Sequence, residues 1–112
     1  MVVEQVEIAV RDGQAAAFEA ALCEVRQRVF MSRGFRGFTV VQGADHPGTY
    51  LVQVLWESIE ELADFAESRL ERCWAPVQPH LAGPLRARHY LERPGLGLNG
   101  PGVVTDLAWL SE

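Results

Sequence analysis

A general base near neutral pH is most readily a histidine, and the sequence has three, His46, His80 and His89, each a candidate. His46 lies within Asp45-His46-Pro47-Gly48, a run of turn-forming residues where a solvated side chain is expected. His80 closes an apolar helical stretch and His89 lies in a late alternating run, which makes these two the better placed candidate bases. Trp56 could form a pocket wall, stack on an aromatic ring or donate its indole N–H to a substrate oxygen, and Trp74 lies on or beside the core stripe of the second helical region. Arg86 and Arg88 are two residues apart, a spacing that in a strand puts both guanidinium groups on one face beside Tyr90, able to hold an anionic oxygen. Trp56, Trp74, Arg88 and Tyr90 are therefore the candidate substrate-binding residues. The chemistry these types describe is removal of a proton from a phenol or enol and retention of the resulting anion. Each also has a structural reading: a histidine with satisfied hydrogen bonds, a core tryptophan, an ion-paired strand edge.

Metal and redox chemistry have less to work with. Cys23 and Cys73 show no CxxC spacing and no neighbouring histidine, and both fall in helical stretches, where reduced, buried thiols are expected. No metal site and no cofactor are expected. Fifteen acidic residues against ten basic ones give a net charge of -5, and no basic run offsets it, which argues against a nucleic-acid partner. No apolar run is long enough to span a bilayer, and Met1-Val2-Val3-Glu4-Gln5 lacks the charged start of a signal peptide. A cytoplasmic protein without a membrane partner is the expectation. At 112 residues, one core is expected.

The elements that must position these residues can be read from periodicity. Val6, Ile8 and Val10 alternate with Gln5, Glu7 and Ala9, which predicts a first strand over residues 3–10. Phe18, Ala21, Leu22, Val25 and Val29 keep helical spacing, which predicts a helix over 14–31 with Glu19 and Glu24 toward water; Gly34 suits the left-handed position beyond its end. Residues 35–42 read as a second strand. The Asp45–Gly48 turn returns the chain through a hairpin into a third, nearly continuously apolar strand ending at Trp56. Ser58 followed by Glu61 is a capping-box pattern that opens a second helix to about residue 68. A less regular helical piece runs to about residue 80 because Pro76 and Pro79 lack the N–H a helix needs, and residues 85–92 form the last strand.

Strand, helix, strand, strand, helix, strand is the ferredoxin-like α+β order, a four-stranded antiparallel sheet with two helices on one face. Leu51 and Leu55 lie opposite Tyr50, Val52, Val54 and Trp56, so both faces of the third strand are apolar. A second copy of the chain, packed sheet to sheet as a homodimer, is the economical cover. The domain is expected to end near residue 92. Residues 93–112 form a Gly/Pro-rich arm that recovers apolar character at Val103, Val104, Leu107, Trp109 and Leu110, and its end is expected to dock on the body or cross to the partner.

Several segments carry a family resemblance. Val6–Val10 through Phe18, Arg33-Gly34-Phe35-Arg36-Gly37-Phe38, Leu55-Trp56-Glu57-Ser58-Ile59-Glu60 and Arg88-His89-Tyr90 resemble the antibiotic biosynthesis monooxygenase domain over about residues 3–92. The resemblance implies a dimeric α/β barrel with a pocket between sheet and helices. Some members oxidise phenolic polyketides to quinones with O2 and no flavin or metal; others degrade haem. Quinone-forming members pair the strand-end tryptophan with an Asn four residues earlier and a Tyr six residues later. Here Trp56 matches, while Val52 and Leu62 occupy the other two positions. The three haem-degrading positions hold Val6, Phe65 and Ala75. The expected function is cofactor-independent monooxygenation of a small aromatic or polyketide-like substrate, with Trp56 in the pocket and His80 or His89 as base. The alternative is a non-catalytic dimeric module that binds a small apolar ligand.

Overall fold

A computed structural model describes residues 1–97 of the chain. Its elements are β1 (Val2–Ala9), α1 (Ala15–Phe30), β2 (Phe35–Gln42), β3 (Thr49–Trp56), α2 (Ile59–Ser68), α3 (Leu70–Trp74), a 3-10 turn (Ala75–His80) and β4 (Arg86–Leu91). The four strands form one antiparallel sheet in the order β2-β3-β1-β4, so the expected ferredoxin-like α+β architecture is present. The expected division at residue 92 lies just beyond β4. The expected docking of the apolar C-terminal end concerns residues 98–112, outside the described residues.

Register explains the core. Val2, Glu4, Val6 and Ile8 of β1 stand opposite Trp56, Val54, Val52 and Tyr50 of β3, and all eight side chains are buried under the helices. Phe18, Leu22, Val25 and Val29 project from α1 at helical spacing, and Leu62 and Phe65 from α2, to close that layer. The alternate residues Val3, Gln5 and Glu7 face the other side with Leu51, Gln53 and Leu55, and among the described residues no helix lies over this side. β4 lies beyond the reach of the helices, so all six of its residues are exposed.

The junctions follow from particular residues. Arg69 leaves helical conformation at φ -131°, ψ -14° and separates α2 from α3. Pro76 and Pro79, without N–H groups, leave the tighter 3-10 winding to carry the chain to His80. Ser58 caps α2 as expected, its hydroxyl oxygen accepting the Glu61 N–H at 3.3 Å. The return half of the capping box is replaced by another contact. The Glu61 carboxylate packs over Gly34, whose φ of +83° and missing Cβ leave it the space. Phe35 then meets Trp56 edge-on at 6.5 Å, and Arg36 is bulged out before Gly37. The Gly34-Phe35-Arg36-Gly37 signature thus locks the turn after α1 onto the start of α2, which is a folding role.

One expectation is corrected. Cys73 is buried, but Cys23 is exposed because it lies on α1 one residue beyond the inward Leu22, on the flank turned toward the edge strand β2.

Candidate functional site

α1 packs beside the edge strand β2, whose residues are only partly buried. Between them is an open cleft of about 360 Å3. Leu22, Phe38 and Val40 give it apolar walls; Glu19, Cys23, Arg26, Gln42 and Tyr50 supply its polar atoms. Glu19, Cys23 and Arg26 recur at four- and three-residue spacing and therefore line one flank of α1.

Tyr50 is the first buried residue of β3, 5% exposed, with its ring tilted against Phe18 at a centroid distance of 4.7 Å. Its hydroxyl reaches the cleft and donates to Oε2 of Glu19 at 2.6 Å. Gln42 Nε2 lies 3.4 Å from the Tyr50 oxygen and donates more closely to the Pro47 carbonyl, at 2.8 Å. The hydrogen bond to Glu19, reinforced by burial and the carboxylate's charge, pushes the Tyr50 phenol up to about 12. Tyr50 is therefore a donor at any ordinary pH, and the Glu19 carboxylate accepts its hydrogen bond.

A second polar cluster lies at the other end of β3. Trp56 is fully buried, with its ring 4.9 Å from Phe65, and its Nε1–H donates to Oε1 of Glu4 at 3.2 Å. Glu4 is 1% exposed, and its other oxygen lies 4.0 Å from Nε2 of His89. Burial raises the Glu4 carboxyl, while the Trp56 hydrogen bond and the nearby His89 act in the opposite direction. Because the folded-state value is the higher one, the folded chain holds this proton more tightly than the unfolded chain. The stability so gained is complete below the unfolded value near 4.5 and is lost as pH rises through the folded one. Glu4→Gln keeps an acceptor for Trp56 and removes the titration. Thermal melts should show little difference between variant and parent at pH 4, and an advantage to the variant that grows toward pH 8. A parent that gains on the variant as pH rises would overturn this.

The sequence candidates are thus divided. Trp56 and His89 come together through Glu4. Trp74 is buried in the core, its Nε1 without a partner among the described residues. His80 Nδ1 lies 2.9 Å from Oε1 of Gln14, and its carbonyl accepts the Arg11 N–H at 2.9 Å. Since Val2 pairs with Trp56 while Val10 bridges to Leu81, His80 and Trp56 stand at opposite ends of β1, about 26 Å apart along the strand. Arg88 and Tyr90 stand opposite Gln5 and Val3 on the open face of the sheet, away from His89. His46 is exposed in its turn. Val52 and Leu62, at the two polar positions of quinone-forming relatives, are core residues. Among the described residues no group of three or more His, Cys, Asp or Glu could hold a metal ion, and no helix is long and apolar enough to cross a membrane.

Two features escaped sequence reasoning. Glu4 left a usable signal, since extending the alternation of Val6 and Ile8 backward places a carboxylate in the buried register. The Tyr50–Glu19 pair left none: the partners are 31 residues apart, and Glu19 alone reads as a solvated helix residue.

The family model described as antibiotic biosynthesis monooxygenase matches residues 1–74. Among solved structures, a protein of Bordetella bronchiseptica provisionally described as an antibiotic biosynthesis monooxygenase superposes with a TM-score of 0.74 at 26% identity, covering 82% of this chain and 96% of that one. One of Deinococcus radiodurans with the same provisional description gives a TM-score of 0.72 at 16% identity, covering 89% and 100%. SnoaB of Streptomyces nogalater, described as a cofactor-independent oxygenase, gives 0.70 at 14% identity, covering 85% and 95%; at such identity the likeness is one of fold. No curated protein sequence matches the chain.

Proposed function

The chain belongs to the antibiotic biosynthesis monooxygenase family, and from that premise we propose that it is a cofactor-independent monooxygenase, oxidising a small aromatic or polyketide-like substrate with O2 in the cleft between α1 and β2. The observation that carries the proposal is the Tyr50–Glu19 pair facing an apolar-walled space of about 360 Å3. An apolar cavity of about 150 Å3 accepts benzene, so this cleft has room for two or three fused rings.

A substrate hydroxyl or activated methylene entering the cleft gives its proton to Glu19, whose carboxylate Tyr50 holds in place. Leu22, Phe38 and Val40 keep the resulting electron-rich anion in an apolar setting, where it reduces O2. For a doubly activated methylene the balance is CH2 + O2 → C=O + H2O. One oxygen atom enters the product, the other leaves as water with both hydrogens, and the methylene carbon supplies all four electrons. In this reading Trp56 and Trp74 pack the core and His89 serves Glu4. Oxygen-electrode assays with anthrones and hydroquinones test it: uptake with quinone formation is expected, and compounds recovered unchanged across the panel would overturn it.

We also propose that two copies join through the open sheet faces. Leu51, Leu55 and Val3 are half-buried there, and Val41 and Tyr90 are 52% and 44% exposed, an apolar surface that a second sheet would cover. Light scattering should give the mass of two chains, and Leu51→Asp, which puts a charge on that face, should give the mass of one. A monomeric parent chain would sink the assignment.

A further inference from the structure

Arg26 is the one cationic side chain among the described residues that line the cleft at Tyr50. It also lines a second open cleft, of about 440 Å3, which continues along α1 past Phe30 and Met31 to Phe35 and holds no other charged residue. The two clefts meet at Arg26 and Phe38, so the arginine stands at a waist between apolar walls. It makes no ion pair among the described residues, although Glu24 and Arg28 of the same helix lie 3.7 Å apart and pair with each other. The reaction proposed above uses Glu19 and leaves this cation without a task.

We infer that the substrate of this cleft is a polycyclic aromatic acid, its carboxylate held by Arg26 while the carbon to be oxidised lies at Glu19. The inference rests on the monooxygenase reading above and adds the class of substrate to it. Its first support is the chemistry of the group. A guanidinium presents a fork of N–H donors that matches both oxygens of a carboxylate, and between apolar walls that contact is screened less than on open surface.

The second support is spacing. Glu19 and Arg26 are seven residues apart on α1, nearly two full turns, so they share one flank and stand about 10 Å apart along its axis. A ring system lying along that flank bridges them. The third is sign. The Glu19 carboxylate repels a second carboxylate, so an acidic substrate enters with its charge at Arg26 and its neutral, oxidisable end at Glu19. Charge thereby sets the orientation that the reaction needs. The chain as a whole carries a net charge of -5, so a preference for an acid has to come from this local cation and not from the overall field.

The test uses quinones, which resemble the product and have no methylene left to oxidise. Titration calorimetry of the full-length chain compares anthraquinone-2-carboxylate with 2-(hydroxymethyl)anthraquinone, the same rings with a neutral substituent of similar size. The acid should bind the parent roughly tenfold more tightly, the size of one charge-assisted contact. Arg26→Gln, at an exposed helix position, should remove that preference. Arg33→Gln, the same loss of charge at an exposed residue outside both clefts, should keep it. Equal binding of the two compounds by the parent would overturn the inference, as would a preference unchanged in Arg26→Gln or lost equally in Arg33→Gln. Oxygen uptake is read separately, with anthrones. The preference without uptake from any compound would sink the monooxygenase reading and not the acid site; uptake without the preference would sink the acid site and not the monooxygenase.

Discussion

Trp56→Ala is expected to cost about 3–5 kcal/mol, close to the whole margin of a small domain. The ring is fully buried between Phe35 and Phe65, and truncation opens a cavity in the middle of the helix-covered layer. It also removes the one hydrogen bond the structure gives the Glu4 carboxylate, which is buried beneath it. Trp56→Phe separates the two effects, because it retains most of the packing and loses only the N–H; about 1–3 kcal/mol is expected for the orphaned acceptor. Guanidinium unfolding of the parent and both variants checks this. A Trp56→Ala loss below about 1 kcal/mol would mean that the site collapses freely around the gap. The result bears on function as well. Oxygen uptake abolished by Trp56→Ala is explained by unfolding, so the phenylalanine variant is the one that reports on chemistry.

Glu19→Gln should lower kcat/KM for oxygen uptake by about 10²–10⁴ while leaving stability within about 0.5 kcal/mol of the parent. The amide keeps an oxygen for the Tyr50 hydroxyl and leaves the apolar walls untouched, so what is lost is the ability to take a proton. A second readout is independent of turnover. Glu19 is the main reason the Tyr50 phenol stands near 12, so in the variant the tyrosinate absorbance at 295 nm should develop at lower pH, closer to the ordinary value of 10. The sign for stability follows. The parent's advantage from Tyr50 is complete below about pH 10, fades as pH rises toward about 12, and is smaller in the variant. Full activity in Glu19→Gln together with a displaced Tyr50 titration would show that the pair exists but is not the machinery.

The fold was legible because its signals are local and repeat. Phe18, Leu22, Val25 and Val29 announce a helix without reference to the rest of the chain, and Ser58 announces where the next one starts. Trp56 was equally legible as a landmark, but its aromatic, N–H-bearing side chain describes a pocket wall and a core residue alike. Only the pairing of β1 with β3, which sets Val2 opposite it and Glu4 within reach, decides between them. His80 and His89 looked equivalent for the same reason: proximity to Trp56 depends on which end of β1 each one meets. The cleft itself was hidden because no residue encodes it alone: it is lined from α1, β2 and the start of β3, which only the tertiary packing brings together.

The exposure of β4 along all six of its residues has a consequence for the buried carboxylate. A strand held through one neighbour and covered by no helix is expected to be among the first parts of its sheet to open, and native-state hydrogen exchange at its amides checks this. Such an opening would remove His89, whose Nε2 lies 4.0 Å from the carboxylate, and uncover the flank of Glu4. On that expectation proton exchange at Glu4 follows the opening of β4, and the sheet edge becomes the valve of the one buried acid among the described residues.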